Sequence, residues 1–259
     1  MSGPRQATAT DPRAAPRLRA TLAMAAAELR LALRRGETLV ATAILPVVVL
    51  VFFASVGLVP TTAARSVDFL LPGSIAFAII ATSLVSLGIT TAYDRFYGVL
   101  KRLGGSPLSR AELIAAKMLA VLVVEIVQVG LLVGAATVLL GWSAPAGASL
   151  SMAIEALLLG TLAFAGLGLL LAGSLRAETM LAVANGLFVA SLLLGGIILP
   201  IDRLPDPLAA LAGALPAAAL SEAFRVALGL GGDGTGALIL LAGWGLGATG
   251  LAVFTFRWE

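Results

Sequence analysis

Few residue types in this chain of 259 residues could carry out catalysis or bind a cofactor. The sequence contains no cysteine and no histidine, which excludes disulfides, thiol nucleophiles, the usual zinc ligands, haem ligation and histidine-dependent triads. No Gly-Lys pair occurs either, so the chain has no P-loop to hold the phosphates of ATP. Clustered acids of the kind that a membrane enzyme needs are also missing. We therefore expect no enzyme activity, no metal and no cofactor in this chain.

Glu125 is the one acidic residue well inside an apolar stretch. Along a helix it lies about eight residues, or roughly 12 Å, beyond Lys117, at a depth where a charged group costs on the order of 2.5 to 3.5 kcal/mol. Gln128 follows on the same helix face and could share a hydrogen bond. Either the two mark a polar point on a substrate path, or Glu125 is a protonated or hydrogen-bonded acid that fixes helix packing. Asn185 poses the same choice, with an interhelical hydrogen bond as the alternative to a place on the path.

The glycine-rich run from Gly245 to Gly250 has the spacing of a dinucleotide-binding loop, Gly-x-Gly-x-x-Gly. No strand precedes it and no acid follows about 20 residues later, so nucleotide binding is not expected. Gly243, Gly247 and Gly250 instead share one face of an apolar helix, as close helix packing in lipid requires. The pattern leaves open whether that face meets another helix or a second copy.

The elements that must position these residues are membrane spans. Hydrophobic residues make up 59% of the chain and charged residues 12%, with a mean hydropathy of +1.04, whereas about a quarter of a soluble domain is charged. A bilayer-spanning helix takes about 20 apolar residues, and six charge-poor stretches reach that length. The third, which Glu125 interrupts, holds one span and a turn. The stretches are Thr38 to Ala64, Phe69 to Ala92, Met118 to Glu155, Ala156 to Leu175, Thr179 to Ile201 and Thr235 to Phe256.

These stretches predict an all-α membrane protein with six transmembrane helices. Residues 1–16, with three prolines and no periodicity, are expected to form a disordered cytoplasmic tail, and residues 17–259 a single transmembrane domain. Within 17–35, leucines occupy one helical face and arginines the other. This pattern is typical of an amphipathic helix lying flat on the membrane surface.

The distribution of charge predicts the orientation in the membrane. Six spans put both termini on one side, and 14 of the 17 Lys and Arg residues lie on that side, together with the 93–117 loop. The other side holds Arg65, Arg203 and Arg225. By the positive-inside rule, both termini and the loop face the cytoplasm. We expect the protein to lie in the cell membrane. This placement accounts for the basic charge without nucleic acid as a partner.

The loop at 93–113 carries the most informative pattern. Four apolar residues stand at i, i+3, i+4 and i+7 opposite a charged face, which predicts a short amphipathic helix. Gly104-Gly105 ends this helix, and the next begins at Ser106-Pro107 or at a capping box from Ser109 to Glu112. Such a loop could rest on anionic lipid headgroups or dock a cytoplasmic protein. The apolar face is Phe96, Val99, Leu100 and Leu103, and the charged face is Asp94, Arg95, Lys101 and Arg102.

The order of residues in this loop and in a later one matches a known signature. It resembles that of ABC-2 type permeases, in particular drug-exporter-like membrane subunits, and the match covers nearly the whole chain. Phe96 and Val99 depart from the signature, since the family often has Glu and Thr there. The matching residues are Asp94-Arg95-x-x-Gly98-x-Leu100-x-Arg102-Leu103, Ser106-Pro107-Leu108-Ser109-Arg110, Glu112-Leu113, Lys117, Leu204-Pro205 and the run from Pro216 to Arg225.

The resemblance implies a fold and a set of partners. The fold has an interfacial helix, six spans, a cytoplasmic coupling helix after span two, and short re-entrant or interfacial helices between spans five and six. The partners are ABC ATPase subunits, which would bind ATP and Mg²⁺, and a second permease copy in a homodimer or heterodimer. The residues implied in ATPase coupling are Asp94, Arg95, Phe96, Gly98, Leu100, Lys101, Arg102 and Leu103.

The segment between spans five and six is expected to form a lid or gate on the extracellular side. Its leucines repeat at helical spacing, but neither apolar piece is long enough to span. Glu222 and Arg225 form a pair at i, i+3. The short helices either seal the outer side or, with Pro216, Glu222 and Arg225, gate the release of substrate.

The function that the resemblance implies is the permease subunit of an ATP-driven exporter for a hydrophobic small molecule or lipid-like substrate. Export of a polysaccharide or lipid-linked glycan is an alternative, because such exporters share this architecture. A proton-driven secondary transporter is another alternative. That class usually needs several titratable groups in the membrane, and this chain offers one Glu and no His.

Overall fold

A computed structural model describes residues 17–34, 36–56, 65–105 and 108–255, with side chains except at 36–42. Within these ranges the chain forms helices, turns and short connections, and no β-strand. The predicted class, an all-α membrane protein, is confirmed. The tail predicted at 1–16 lies outside the described residues.

The helices follow one another with short connections. A π-helical segment, Ala81–Ser86, joins α3 to α4, and a 3₁₀ turn, Ile201–Arg203, precedes α9. In chain order the α-helices are α1 (Arg17–Arg34), α2 (Gly36–Val56), α3 (Ser66–Ile80), α4 (Leu87–Phe96), α5 (Val99–Gly104), α6 (Arg110–Leu140), α7 (Leu150–Ser174), α8 (Ala177–Leu194), α9 (Asp206–Ala214), α10 (Pro216–Ala227) and α11 (Gly234–Thr255).

Five helical stretches of the described chain are long and apolar enough to cross a membrane. The first runs through α3, the π segment and α4 as one stretch, Ser66–Phe96, and the others are α6, α7, α8 and α11. α2 has 21 residues, or about 31 Å at 1.5 Å per residue, which matches the hydrocarbon thickness of a bilayer.

Contacts between helix ends define two opposite faces of the bundle. On one, the Asp94 face, Lys117 near the start of α6 pairs with Asp94 at the end of α4 and with Glu28 of α1. On the other, the Arg65 face, Arg65 ahead of α3 donates to the carbonyl of Leu140 at the end of α6. Because the chain passes from Glu28 on one face to Arg65 on the other, α2 crosses the bundle between them.

α9 and α10 form a re-entrant pair on the Arg65 face, bent by 79° at their junction. The loop before them touches α3, where a Cβ on Gly73 would lie 2.3 Å from the carbonyl oxygen of Ile197. At their other end, the N–H of Ser149, ahead of α7, donates to the carbonyl of Ala227 at 2.7 Å. The segment thus enters and leaves on the same face. The crossing elements among the described residues are α2, α3–α4, α6, α7, α8 and α11.

The span formed by α3 and α4 occupies the centre of the bundle. Of its most apolar window 83% is buried within the chain, against 61% for α7 and 17% for α8. α1 lies along α6 with Ala25 buried, whereas Leu18, Leu22 and Leu33 are 69%, 48% and 60% exposed. Leu29, the fourth leucine of the predicted face, is half-buried. Three of the four leucines are thus exposed outside the bundle, as a helix at the membrane surface requires.

α7 and α11 approach closely through small residues. A Cβ on Gly166 would lie 2.6 Å from a threonine side chain of α11, and one on Gly245 would lie 3.1 Å from a leucine of α7. At Gly243, Gly247 and Gly250, by contrast, a Cβ would meet no described neighbour within 4 Å. The predicted glycine face is open within this chain, and Gly245 makes the close contact.

Candidate functional site

The coupling segment predicted at 94–103 consists of two helices joined by a turn. α4 ends at Phe96, α5 begins at Val99, and Gly98 between them has a φ of 71°. This left-handed conformation is adopted at low cost by glycine but not by other residues. The structure therefore corrects the predicted single amphipathic helix, because the chain reverses its backbone conformation in the middle of the apolar pattern.

The turn at Tyr97 and Gly98 divides the predicted apolar face. Leu100 is 1% exposed and Leu103 is half-buried, both against the start of α6. Phe96 and Tyr97 point outward, 70% and 66% exposed, with their rings packed edge to face at 5.2 Å between centroids. We call Phe96 and Tyr97 the aromatic knob. Exposed residues after it are Val99, Lys101 and Arg102.

Asp94 and Arg95, in contrast, point into the bundle. Asp94 Oδ2 lies 3.1 Å from Lys117 Nζ. Arg95 donates to the last carbonyls of α7, at Gly173 (2.5 Å) and at Leu175. Carbonyls at a helix C-terminus lack intrahelical partners and carry partial negative charge, so a guanidinium satisfies both needs. The first two members of the predicted charged face thus anchor the knob to the bundle.

α6 begins at the capping box predicted from Ser109 to Glu112. The N–H of Glu112 donates to Ser109 Oγ at 3.2 Å, and the N–H of Ser109 donates to Glu112 Oε2 at 2.7 Å. The alternative start, Ser106-Pro107, lies outside the described residues. The reciprocal bonds fix the point at which the loop becomes a span.

Glu125 and Gln128 lie in a polar cluster inside the bundle, 0% and 2% exposed. Ser83 Oγ donates to Glu125 Oε1 and Thr161 Oγ1 donates to Oε2, each at 2.5 Å. Thr82 Oγ1 donates to Gln128 Oε1 at 3.0 Å. The central span, α6 and α7 therefore meet at one set of hydrogen bonds, an arrangement that favours the packing role considered for Glu125.

The π-helical segment supplies two of the hydroxyls in this cluster. Thr82 and Ser83 are consecutive, and both reach α6 because the wider π turn changes which side chains face inward. Such segments are rare and often mark functional sites. α7 lies directly against the segment, since a Cβ on Gly168 would lie 2.8 Å from the carbonyl oxygen of Ser83.

Asn185 lies apart from the cluster, on the exposed side of α8. Its Nδ2 donates to the carbonyl of Leu181, one turn back in the same helix, at 2.8 Å. Asn185 and Phe188 form one wall of an apolar groove of about 350 Å³, whose other walls are α2 and the central span. The three residues predicted for a substrate path are therefore not brought together, and the predicted interhelical bond of Asn185 is corrected to one within its helix.

Arg225 joins three elements of the Arg65 face. Its guanidinium donates to the carbonyl of Gly196, after α8, lies 4.6 Å from the ring centroid of Phe69 in α3, and lies 3.7 Å from Glu222 Oε2. Pro216 is buried at the first position of α10. The three residues predicted for the gate thus share one short helix, and Arg225 holds that helix to the central span.

Comparison with protein families identifies the fold. The family model for ABC-2 type transporters matches residues 19–228, from α1 through the aromatic knob and the interior cluster to the end of α10. The chain belongs to the ABC-2 type transporter family. No significant match was found among curated proteins.

As an ABC-2 permease, the chain is a multi-pass membrane component of a transport system, and members of this family work with ABC ATPase subunits. The sequence has no Gly-Lys pair and therefore no P-loop of the kind that binds ATP in P-loop ATPases.

Several residues that organise this permease carry no clear signal in the sequence. Ser83 and Thr161 are single hydroxyl residues in apolar stretches, with nothing in their spacing to connect them to Glu125. Glu28 looks like an ordinary acid on an amphipathic helix, and the signature that includes Lys117 does not indicate that the two residues pair. Their partners follow only from the way the helices pack.

Proposed function

We propose that this chain is the permease subunit of an ATP-driven exporter, with residues 17–259 forming one transmembrane domain in the cell membrane. Both termini and the Asp94 face lie in the cytoplasm, as the positive-inside rule requires. A separate ABC ATPase binds ATP and Mg²⁺ and docks on that face. A second permease copy, identical or related, completes the transporter.

The aromatic knob is the observation that carries this proposal. Two exposed rings at the tip of a turn, followed by the exposed Arg102, have the composition of protein–protein contact sites, in which aromatic residues and Arg are enriched. Asp94 and Arg95 tie the base of the turn to α6 and α7. A force on the knob is therefore passed to helices rather than absorbed by a loose loop.

The apolar groove between α2, the central span and α8 is the surface to which we assign the substrate. Its walls are mainly apolar, with Ser86, Thr90 and Asn185 as polar members, which suits a hydrophobic small molecule or a lipid-like molecule. The exposed apolar residues of α2 and α8 leave the groove open on the outside of this chain, so a second copy facing it would enclose a path. They include Ile44, Leu45, Val48, Phe52, Leu181 and Val189.

The re-entrant pair α9–α10 is the gate on the outer face in this scheme. In this scheme, release of substrate requires the loop after α8 to move away from α3, and Arg225 of α10 contacts both, through the carbonyl of Gly196 and the ring of Phe69. Pro216 occupies the first position of α10, and Glu222 pairs with Arg225 on the same helix. The gate therefore opens when the contacts of Arg225 break.

The double substitution Phe96→Ala with Tyr97→Ala tests docking of the ATPase. The partner ABC ATPase is expected to bind the native permease, and to bind the variant at least about 30-fold more weakly, since buried aromatic anchors contribute about 2 kcal/mol or more. Phe254→Ala, at an exposed phenylalanine near the end of α11, is the control and should bind like the native chain. Equal binding of all three, as expected if the knob rests in lipid, contradicts the docking role.

Transport assays in inside-out vesicles test direction and substrate class. With ATP, hydrophobic dyes or labelled lipids are expected to accumulate inside, because the cytoplasmic face points outward in such vesicles. If only labelled glycans accumulate, the substrate is a glycan and the proposed hydrophobic or lipid-like class is wrong. Accumulation driven by a proton gradient without ATP would refute the exporter.

A further inference from the structure

Lys117 is a buried cation that pairs with Asp94 below the aromatic knob, and it has a second carboxylate partner, Glu28, that the docking scheme does not use. Its side chain is 1% exposed, and its Nζ lies 2.7 Å from Glu28 Oε1 and 3.1 Å from Asp94 Oδ2. A buried ammonium is tolerated when carboxylates pair with it and accept its protons. Glu28 belongs to α1 and Asp94 to the end of α4, so one lysine holds together three elements that are distant along the chain.

The position of Asp94 connects this junction to the aromatic knob. Asp94 precedes Phe96 by two residues, and Arg95 between them is bonded to the end of α7. The two residues before the knob, Asp94 and Arg95 of α4, therefore connect it to α6 and α7 directly and to α1 through Lys117. Of these, α1 is the element that carries exposed leucines toward the membrane surface.

We propose, resting on the proposed function, that Lys117 is a positioning residue for energy coupling, which acts through Asp94 to hold the aromatic knob on α6 and through Glu28 to make α1 move with it. When the ATPase displaces the knob, α1 and the start of α6 shift as one body. Without the link to Glu28, the knob moves while α1 stays on the membrane surface.

One of the two carboxylates around Lys117 can be neutralised without leaving the lysine unpaired, so this variant is expected to fold. Lys117 has two carboxylate partners, so Glu28→Gln leaves a balanced pair with Asp94 instead of an unpaired buried charge. The control is Arg17→Gln with Glu112→Gln, which removes another α1–α6 ion pair, 3.9 Å long, whose Arg17 is 96% exposed. Glutamine at 112 preserves the capping box.

The chain has no cysteine, so Ala27→Cys on α1 and Gly105→Cys after α5, both exposed, place one pair of spin labels in each copy of the chain, and unlabelled permease mixed in excess leaves one labelled copy in most complexes. The distance between the labels is measured in the full complex with its ATPase, without nucleotide and with ATP trapped by vanadate. In the otherwise native complex and in the control we expect the distance to stay the same in both states. In Glu28→Gln, whose ATPase binding and ATP hydrolysis should match the native complex, it should shift by about 2 Å or more, the scale of helix displacement in switching proteins.

The outcomes separate the two proposals. A native complex that changes its label distance with ATP, or a Glu28→Gln complex that behaves like the native one, overturns the role of Lys117 and leaves the docking proposal standing. A native chain that binds no ATPase overturns both. A shift in the exposed-pair control equal to that in Glu28→Gln shows that any contact between α1 and α6 suffices, which also overturns the specific role of the buried lysine.

Discussion

Substitution of Glu125 by Ala and by Gln separates the packing role of this acid from a role of its charge. In the native chain its two oxygens accept from Ser83 and Thr161. The Thr161 hydroxyl also lies 2.7 Å from the carbonyl of Leu157, and its single proton cannot serve both acceptors fully. A glutamine accepts from Ser83 with its carbonyl and donates to Thr161 with its amide, so every group keeps a partner.

The expected loss of stability follows from these bonds. Glu125→Ala removes two interhelical hydrogen bonds, which contribute about 0.6 kcal/mol each in membrane proteins. It also leaves the hydroxyl of Ser83, 0% exposed, without its acceptor, at a cost of about 1 to 3 kcal/mol. We therefore expect Glu125→Ala to lose about 2 to 4 kcal/mol of unfolding free energy, and Glu125→Gln to lose less than about 1 kcal/mol.

Denaturant unfolding of the purified chain in lipid nanodiscs measures both values. Glu155→Ala, at an exposed acid of α7, is the matched control and should stay within about 0.5 kcal/mol of the native chain. If Glu125→Ala is as stable as the native chain, the cluster does not hold the bundle together. If Glu125→Gln is as damaging as Glu125→Ala, the negative charge itself is required. Unaltered ATP-dependent transport by Glu125→Gln, at equal protein levels, would count against a place on the substrate path.

Two further substitutions test helix contacts. Gly166→Ala puts a Cβ 2.6 Å from Thr249 Oγ1 and 2.9 Å from its backbone nitrogen, so the free energy of unfolding should fall by about 1 to 3 kcal/mol. Gly247→Ala, on the open face, should leave it unchanged. Equal losses in the two variants would contradict the close contact of α7 with α11. Arg225→Met removes the bond to the carbonyl of Gly196 and the cation–π contact with Phe69, so the free energy of unfolding should fall by about 1.5 to 3 kcal/mol and amide exchange in the loop after α8 should accelerate. Arg203→Met, at an exposed arginine, should change neither, and an unchanged exchange rate in Arg225→Met would show that Arg225 does not hold this loop in place.

Features that depend on residues close together in the chain could be predicted from the sequence. The stretch Thr179 to Ile201 covers most of α8, Ala177–Leu194, because a charge-free window of that length is stable as a helix in lipid. The capping box from Ser109 to Glu112 begins α6 because both of its bonds are local. The short apolar pieces after α8 became α9 and α10, since neither is long enough to cross.

Features that depend on packing could not be predicted in the same way. The apolar pattern from Phe96 to Leu103 fits one helix, and spacing alone does not detect that Gly98 takes a left-handed conformation. The π segment leaves no periodic signature. The pairing of Lys117 with Glu28 depends on how α1 lies along α6, and the sequence carries no record of that geometry.

The central span is bonded to α6 or α7 at three depths: on the Arg65 face, in the interior cluster and on the Asp94 face. These bonds restrict movement of the three spans relative to one another. Arg65, ahead of α3, donates to the end of α6 at Leu140 (2.6 Å), and Arg95, at the end of α4, donates to the end of α7. Each arginine faces the negative end of a helix dipole, and between them the π segment bonds Glu125. These bonds join the central span, α6 and α7 on both faces of the bundle and in its interior, so a displacement at the knob acts on the three spans together.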